Sequence, residues 1–387
     1  MMSTSGPFQR DRTTLLLYAL LAYYAYLQSI VAPAMNFIAQ EQGLSDSLRG
    51  MHLSVFAIGM VLAGLFAERV AAFVGRPQTV WGGCAGIGIG AVILSIGQAP
   101  ALTLLATFLM GSAGACALIM QQALLSDRHH EHRARPITEA NVVAIILAGL
   151  APLAVGSAAV SLGWRAPLIG GAAALIIFWI IGSRWIVDKT VPTRIVRTTT
   201  LSFNLPFRYW VFWGVAFFGV GVEWSMIFWS GVYLERVGGL TTSDATSAST
   251  LFFVGMIIGR ILGSQLARSA EPARLLVVSI ALALFGFSIF WLAPETDMRL
   301  VGLSITGLGV ANLWPLTLTT ATALAANATD LANARMSLSA SLSTLLAPQI
   351  LGSLADSVGI QNAILVAGAM TICALAAGIA GLRLTTR

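Results

Sequence analysis

The sequence predicts an all-α membrane protein of twelve transmembrane helices, arranged as two pseudo-symmetric six-helix bundles. Three observations predict it. Only 10% of the 387 residues are charged and 57% are hydrophobic, whereas a soluble globular protein carries roughly 25% charged residues. The apolar residues come in blocks of about 20–25, and roughly 20 residues at about 1.5 Å each cross the hydrocarbon core. Similar segments also recur at a fixed offset of 196 residues, the distance from Leu150 to Leu346. In lipid the backbone satisfies its own hydrogen bonds, which leaves helices or closed barrels. A barrel needs segments of about 10 residues alternating apolar and polar, and no such alternation is present.

The expected spans are 14–38, 49–72, 78–97, 100–125, 138–160, 166–186, 209–234, 247–268, 273–292, 299–323, 335–355 and 360–382. The polar segment before the first span runs into it without a small-residue cleavage site, which argues against a cleavable signal peptide. The first span carries Tyr23, Tyr24, Tyr26 and Gln28, with Tyr24 and Gln28 on one face at i, i+4 spacing. Within the third, Gly82, Gly83, Gly86, Gly88 and Gly90 suit a close helix crossing. They are not a nucleotide loop, because no strand precedes them. His129, His130, Glu131 and His132 follow the fourth span among charged neighbours, without a second ligand group at metal-binding spacing, and read as a solvated loop. The fifth span opens with Glu139 and Asn141 and contains Pro152, which removes a backbone bond and bends its helix. Cys84, Cys116 and Cys373 lie inside apolar blocks and read as small hydrophobes rather than a disulfide framework.

Charge sets the expected sidedness. With a cytoplasmic N-terminus, 17 of the 22 Lys and Arg fall in inside segments. Four (Arg49, Arg165, Arg236, Arg299) fall outside, and Arg260 lies within a span. That asymmetry follows the positive-inside rule, so both termini are expected in the cytoplasm of a cell (inner) membrane. Because the basic residues sit in loops on one side, the net charge of +6 does not indicate nucleic acid. The polar basic stretch in the middle is read as a linker. The expected domains are therefore residues 1–186, an N-terminal six-helix bundle; 187–208, a cytoplasmic linker; and 209–387, a C-terminal six-helix bundle.

The second half repeats the first. Residues 150–163 read LAPLAVGSAAVSLG and residues 346–359 read LAPQILGSLADSVG, with eight of fourteen positions identical. The same offset pairs Phe56, Gly59 and Met60 with Phe252, Gly255 and Met256, and Gly111 and Ala115 with Gly307 and Ala311. Each half begins and ends on the same side, so the halves are parallel repeats about an axis along the membrane normal, an arrangement that places a site near the midplane.

Glu223 is the principal candidate for function. A charge at a helix centre costs roughly 2.5–3.5 kcal/mol on insertion scales, so this acid is expected to face a cavity, pair, or bind a proton. The alternative is a structural acid bonded to a neighbouring helix. Arg260 either snorkels to the cytoplasmic interface or serves a gate, an anionic solute or Glu223. Direct pairing with Glu223 is disfavoured, since the spans set Arg260 roughly 9 Å nearer the cytoplasm at about 1.5 Å per residue. Arg335 occupies the repeat position of Glu139, and opposite charges there suit a gate between the halves. Trp210, Trp229 and Trp291 read as interfacial anchors.

At the end of the second span and just beyond it come Gly64, Ala67, Glu68, Arg69, Gly75 and Arg76. This resembles the Gly-x-x-Ala-Asp-Arg-x-Gly-Arg signature of the major facilitator superfamily, with Glu for Asp and the final Gly-Arg four residues late. Gly255, Gly259, Arg260 and Gly263 form a weaker copy in the second half, and Gly163-Trp164-Arg165 resembles a further family feature. The resemblance covers essentially the whole chain. It implies a gating role for Glu68, Arg69 and Arg76, and a cavity lined by the first, fourth, seventh and tenth helices. On that implication Tyr23, Tyr24, Gln28, Trp224, Asn312 and Trp314 are candidate substrate-binding residues, while the midspan position of Glu223 makes it the candidate proton-coupling residue. The implied activity is secondary active transport of a small organic solute by alternating access, with proton symport favoured over proton-antiport efflux of drugs or metabolites. A non-transporting membrane receptor or scaffold is a third reading. No cofactor, metal or nucleic acid is expected. The expected partners are a small-molecule substrate, a proton and the lipid bilayer, with the chain acting as a monomer. No phosphate-binding loop, nucleophile elbow or metalloprotease motif is present, which argues against an enzyme.

Overall fold

The structure, a computed structural model, describes residues 8–129, 132, 134–186, 205–325 and 328–385. Most of the expected linker (187–204), together with His130, Glu131 and Arg133, lies outside the described residues. The described residues are 88% helical. The helices are α1 (Arg12–Gln42), α2 (Asp46–Val74), α3 (Arg76–Ile96), α4 (Pro100–His129), α5 (Ala134–Ser161) and α6 (Ala166–Gly182). They continue with α7 (Phe207–Arg236), α8 (Thr242–Leu266), α9 (Pro272–Leu292), α10 (Thr296–Leu324), α11 (Thr329–Val358) and α12 (Ile360–Arg383). Among the described residues, eleven are long and apolar enough to cross a membrane. The twelfth, α6, has 17 residues, about 25 Å of helix, the lower limit for a span. It ends at Gly182, four residues before the expected boundary, where the chain turns through Ser183–Trp185.

Prolines open and interrupt these helices for one reason: a proline nitrogen cannot donate. It is harmless in a first turn, and α3, α6 and α9 each carry a proline there. Within α1, Pro33 deprives the Ser29 carbonyl of its donor, and the helix steps at Ile30. Within α10, Pro315 does the same to Ala311, and the helix breaks at Ala311–Asn312. By contrast α5 and α11 run on through Pro152 and Pro348.

The chain forms two compact units. One comprises Met1–Ala34 and Val55–Arg194; the other comprises Met35–Ser54 and Ile195–Arg387. In the first unit α1 packs on α5 and α3 on α4; in the second α7 packs on α11 and α9 on α10. The glycines explain how closely the helices approach. A side chain at Gly111 would collide with the carbonyl of Phe56, and one at Gly307 with that of Phe252. Gly59 meets Phe108 and Ser112, while Gly255 meets Ser304 and Leu308, again partners 196 residues apart. The sequence repeat is thus a repeated helix crossing.

The turns repeat as well. Gly163 and Gly359 have φ of 85° and 76°, and Gly43 and Gly239 have 62° and 71°, values that L side chains rarely adopt. Beside the second pair, the hydroxyls of Ser45 and Thr241 accept from Leu48 N (3.2 Å) and Asp244 N (3.1 Å) and cap the helices that follow.

The four arginines expected in outside loops are structural braces. Arg165 Nε donates to Ser95 O (2.8 Å), and Arg299 donates to Ala293 O and Val237 O (2.9 and 2.5 Å). Arg236 and Arg49 converge on Asp46. One anchor assignment needs correcting. Trp229 is fully buried and its indole donates to Pro348 O (3.1 Å), so it packs α7 on α11 rather than facing an interface. The aromatic content of α7 exceeds what an anchor belt requires, and the interior takes the rest.

Candidate functional site

Glu223 is the seventeenth of the thirty residues of α7. The helix is pinned around it. Ser339 donates to Trp213 O (2.9 Å), Ser343 donates to Phe217 O, and Trp213 Nε1 donates to Arg335 O (2.9 Å), a ladder from α11 along one side of α7. Gly221, two residues before the acid, abuts Ser343 and Met370, and Gly219 abuts Leu313. Against this packed background the Glu223 carboxyl is half-buried and makes no hydrogen bond or ion pair among the described residues. Arg260 of α8 lies in the same unit.

Arg260 is half-buried too, and its Nε is buried without a hydrogen-bond partner. Its neighbours Gly259 and Gly263 lie tight against α10, where Asn312 Nδ2 donates to Gly259 O (2.7 Å). Two intramembrane residues of opposite charge thus share one unit, with no salt bridge between them among the described residues. The expected height difference disfavours direct pairing, and among the described residues no ion pair joins the two.

The aromatic candidates divide. Tyr23 is buried, donates to Cys84 O (3.2 Å) and stands edge-on to Phe178. Tyr24 is buried against Gly114 with its hydroxyl unbonded. Gln28, Trp224 and Trp314 are half-buried. Asn312 spends its amide on the Gly259 carbonyl, bracing the break in α10.

At the N-terminal end of α1, Arg10 donates both Nε and Nη2 to Glu139 (2.7 Å each), which also accepts from Arg135 (3.0 Å) and the Tyr18 hydroxyl (3.1 Å). Asp11 caps α1 through Thr14 N (2.8 Å) and pairs with Arg128. Burial works against its charge, but the Arg128 and Thr14 hydrogen bonds outweigh it and hold the carboxyl at about 2. Glu68 and Arg69 are exposed near the end of α2, with Arg69 over the Phe66 ring (5.3 Å). Gly75 turns with φ of 95°, and Arg76 pairs with Asp127 of α4 (2.6 Å). Arg335 is half-buried on α11.

Sequence reasoning missed a charged cluster in the second unit. Asp46 is buried and receives Arg236 bidentately (2.6 and 2.9 Å), with buried Arg49 at 3.9 Å. Asp356 accepts the backbone N–H of Asp46 and of Ser47 (2.7 and 2.9 Å), capping α2 from the end of α11. Glu235 accepts from Gln40 and from Thr242 (2.8 Å). The recurrence of Gly43 at Gly239 was the available signal that this turn is structured.

The profile of the Major Facilitator Superfamily matches residues 16–327 and 239–386. Membrane protein MosC of Rhizobium meliloti is 29% identical over 149 residues, 38% of this chain and 37% of that protein. Multidrug resistance protein MdtL of Escherichia coli is 32% identical over 117 residues, 30% of each chain. These matches span well under half the length of either relative. Among solved structures, a bacterial homologue of the human lysosomal transporter Spinster, inward-facing and unoccupied, superposes with a TM-score of 0.79 at 15% identity, covering 98% of both chains. The nucleoside transporter NupG gives 0.72 at 13% identity, covering 97% of this chain and 100% of that one. Repeat, fold and profile agree, and the chain belongs to the Major Facilitator Superfamily, a family of transporters and not of enzymes.

Proposed function

We propose that the protein is a proton-coupled secondary transporter that moves a small organic solute by alternating access, as a symporter. One observation carries this reading: the carboxyl of Glu223, midway along a membrane-spanning helix, has no hydrogen-bond or ion-pair partner among the described residues. A structural acid at that depth keeps its partners, because an unpaired intramembrane charge is costly. An acid that takes up and releases a proton during a transport cycle must be free of permanent ones. Arg260 offsets its charge when the proton is absent.

In this reading Tyr24, Gln28, Trp224 and Trp314 contact the solute, while Tyr23 and Asn312 support their helices. Glu68, Arg69, Arg76, Glu139 and Arg335 gate it. Both termini face the cytoplasm of an inner membrane, supported by the excess of basic residues in segments on the side of the termini. The domain limits 1–186, 187–208 and 209–387 follow the sequence repeat, and the protein works as a monomer. Proton-antiport efflux is the second reading, favoured by the similarity to MdtL.

Reconstituted protein in liposomes separates the two. An inward proton gradient that drives uptake of a labelled solute supports symport, and gradient-driven extrusion of a dye supports efflux. Glu223→Gln is expected to abolish uphill movement in either direction while leaving solute exchange. Full gradient-driven transport by that variant removes the coupling role.

A further inference from the structure

We infer that Arg260 binds the transported solute and that the solute therefore bears an acidic group, a carboxylate or a phosphate. The inference rests on the transport reading and adds the charge class of the substrate to it.

Two arginines elsewhere in the same unit have donors satisfied by the protein. Arg236 grips Asp46 with two hydrogen bonds, and Arg299 spends its guanidinium on two backbone carbonyls. Arg260 has neither kind of partner among the described residues, and its Nε is buried and unbonded. The carbonyl of its neighbour Gly259 is already taken by Asn312. Position is fixed nonetheless, because Gly255, Gly259 and Gly263 lock α8 onto α10. The result is an arginine anchored through its backbone, with open guanidinium donors, inside a membrane-spanning segment.

A guanidinium presents five N–H donors in a planar fork, a shape that carboxylates and phosphates match with paired hydrogen bonds. Charge balance selects an anion over a cation. With no solute, Arg260 and ionised Glu223 sum to zero. When an acidic solute reaches Arg260 and a proton reaches Glu223, the sum is again zero. A cationic solute on ionised Glu223 would leave a net positive charge beside Arg260, and a neutral solute would leave the guanidinium donors unanswered. One proton then accompanies one singly charged solute.

The test is thermal unfolding of the purified full-length protein, followed by tryptophan fluorescence, against small aromatic and aliphatic solutes in matched carboxylate, phosphate-ester, amide and amine forms. Acidic members are expected to stabilise the wild type. Arg260→Gln should weaken their apparent affinity about 30-fold or more, the loss expected when one partner of a desolvated charge pair is removed. Arg260→Lys should retain part of the effect, which controls for misfolding. Glu223→Gln, which mimics the protonated acid, should keep acid binding. Stabilisation by no acidic member, stabilisation confined to amines or amides, or acid binding undiminished in Arg260→Gln overturns the inference. A coupling test that fails at Glu223 leaves these binding outcomes unaffected, so the two claims can fall separately.

Discussion

Replacing glycines with alanine should split them into two groups of opposite sign. At Gly111 an added Cβ would press on the carbonyl oxygen of Phe56, with the carbonyl carbon and Cα of that residue at 2.9 and 3.0 Å. At Gly307 the same two atoms of Phe252 stand at 2.9 and 3.2 Å. These are backbone atoms of a packed helix and cannot rotate aside, so the helices themselves must part. Overpacking of this kind costs about 3 kcal/mol at the upper end of its usual range. Alanine recovers about 1 kcal/mol of helix propensity, leaving a net loss of about 2 kcal/mol. At Gly82 and Gly170, exposed and with nothing within 4 Å of an added Cβ, only the propensity gain remains. Thermal unfolding in detergent should therefore rank Gly82→Ala and Gly170→Ala at or above wild type, with Gly111→Ala and Gly307→Ala clearly below and similar to each other. Equal stability of the two groups would refute the repeated crossing as the cause of the repeated sequence.

Further predictions concern charge. Asp46→Asn leaves buried Arg49 and half-exposed Arg236 without their shared counter-ion and should cost about 3 kcal/mol. Arg274→Gln breaks an exposed pair with Glu271 and should cost less than about 1 kcal/mol; thermal unfolding of the two variants side by side checks the contrast. Asp11 is held at about 2 against a reference of 3.8. With its carboxyl depressed in the folded state, its contribution is complete above about pH 4 and fades as pH falls through about 2. Asp11→Asn should therefore lower stability at neutral pH and converge with wild type in strong acid.

Much of the fold was legible because lipid leaves few alternatives. Low charge, block length and the 196-residue offset sufficed for the helices, and Pro33 and Pro315 mark where α1 and α10 break. The site was legible only in part. Glu223 and Arg260 stood out as charges within apolar spans, but periodicity does not say whether the two pair. Asn312 was legible as polar and midspan, yet its bond to Gly259 depends on how α8 crosses α10. The cluster of Asp46, Arg49, Arg236 and Asp356 was hidden because four polar residues near span ends look like ordinary loop charges. Trp229 misled for the reverse reason: a tryptophan near a helix end has the composition of an anchor, and only the fold reveals that the Pro348 carbonyl holds it inside.

The central claim is that the Glu223 carboxyl exchanges a proton within the membrane-spanning part of the protein. Infrared difference spectroscopy of the reconstituted protein across a pH titration measures this without a known solute. A protonated-carboxyl band that changes with pH in the wild type and is missing from Glu223→Gln is the expected result. The same band persisting unchanged in the variant would contradict it.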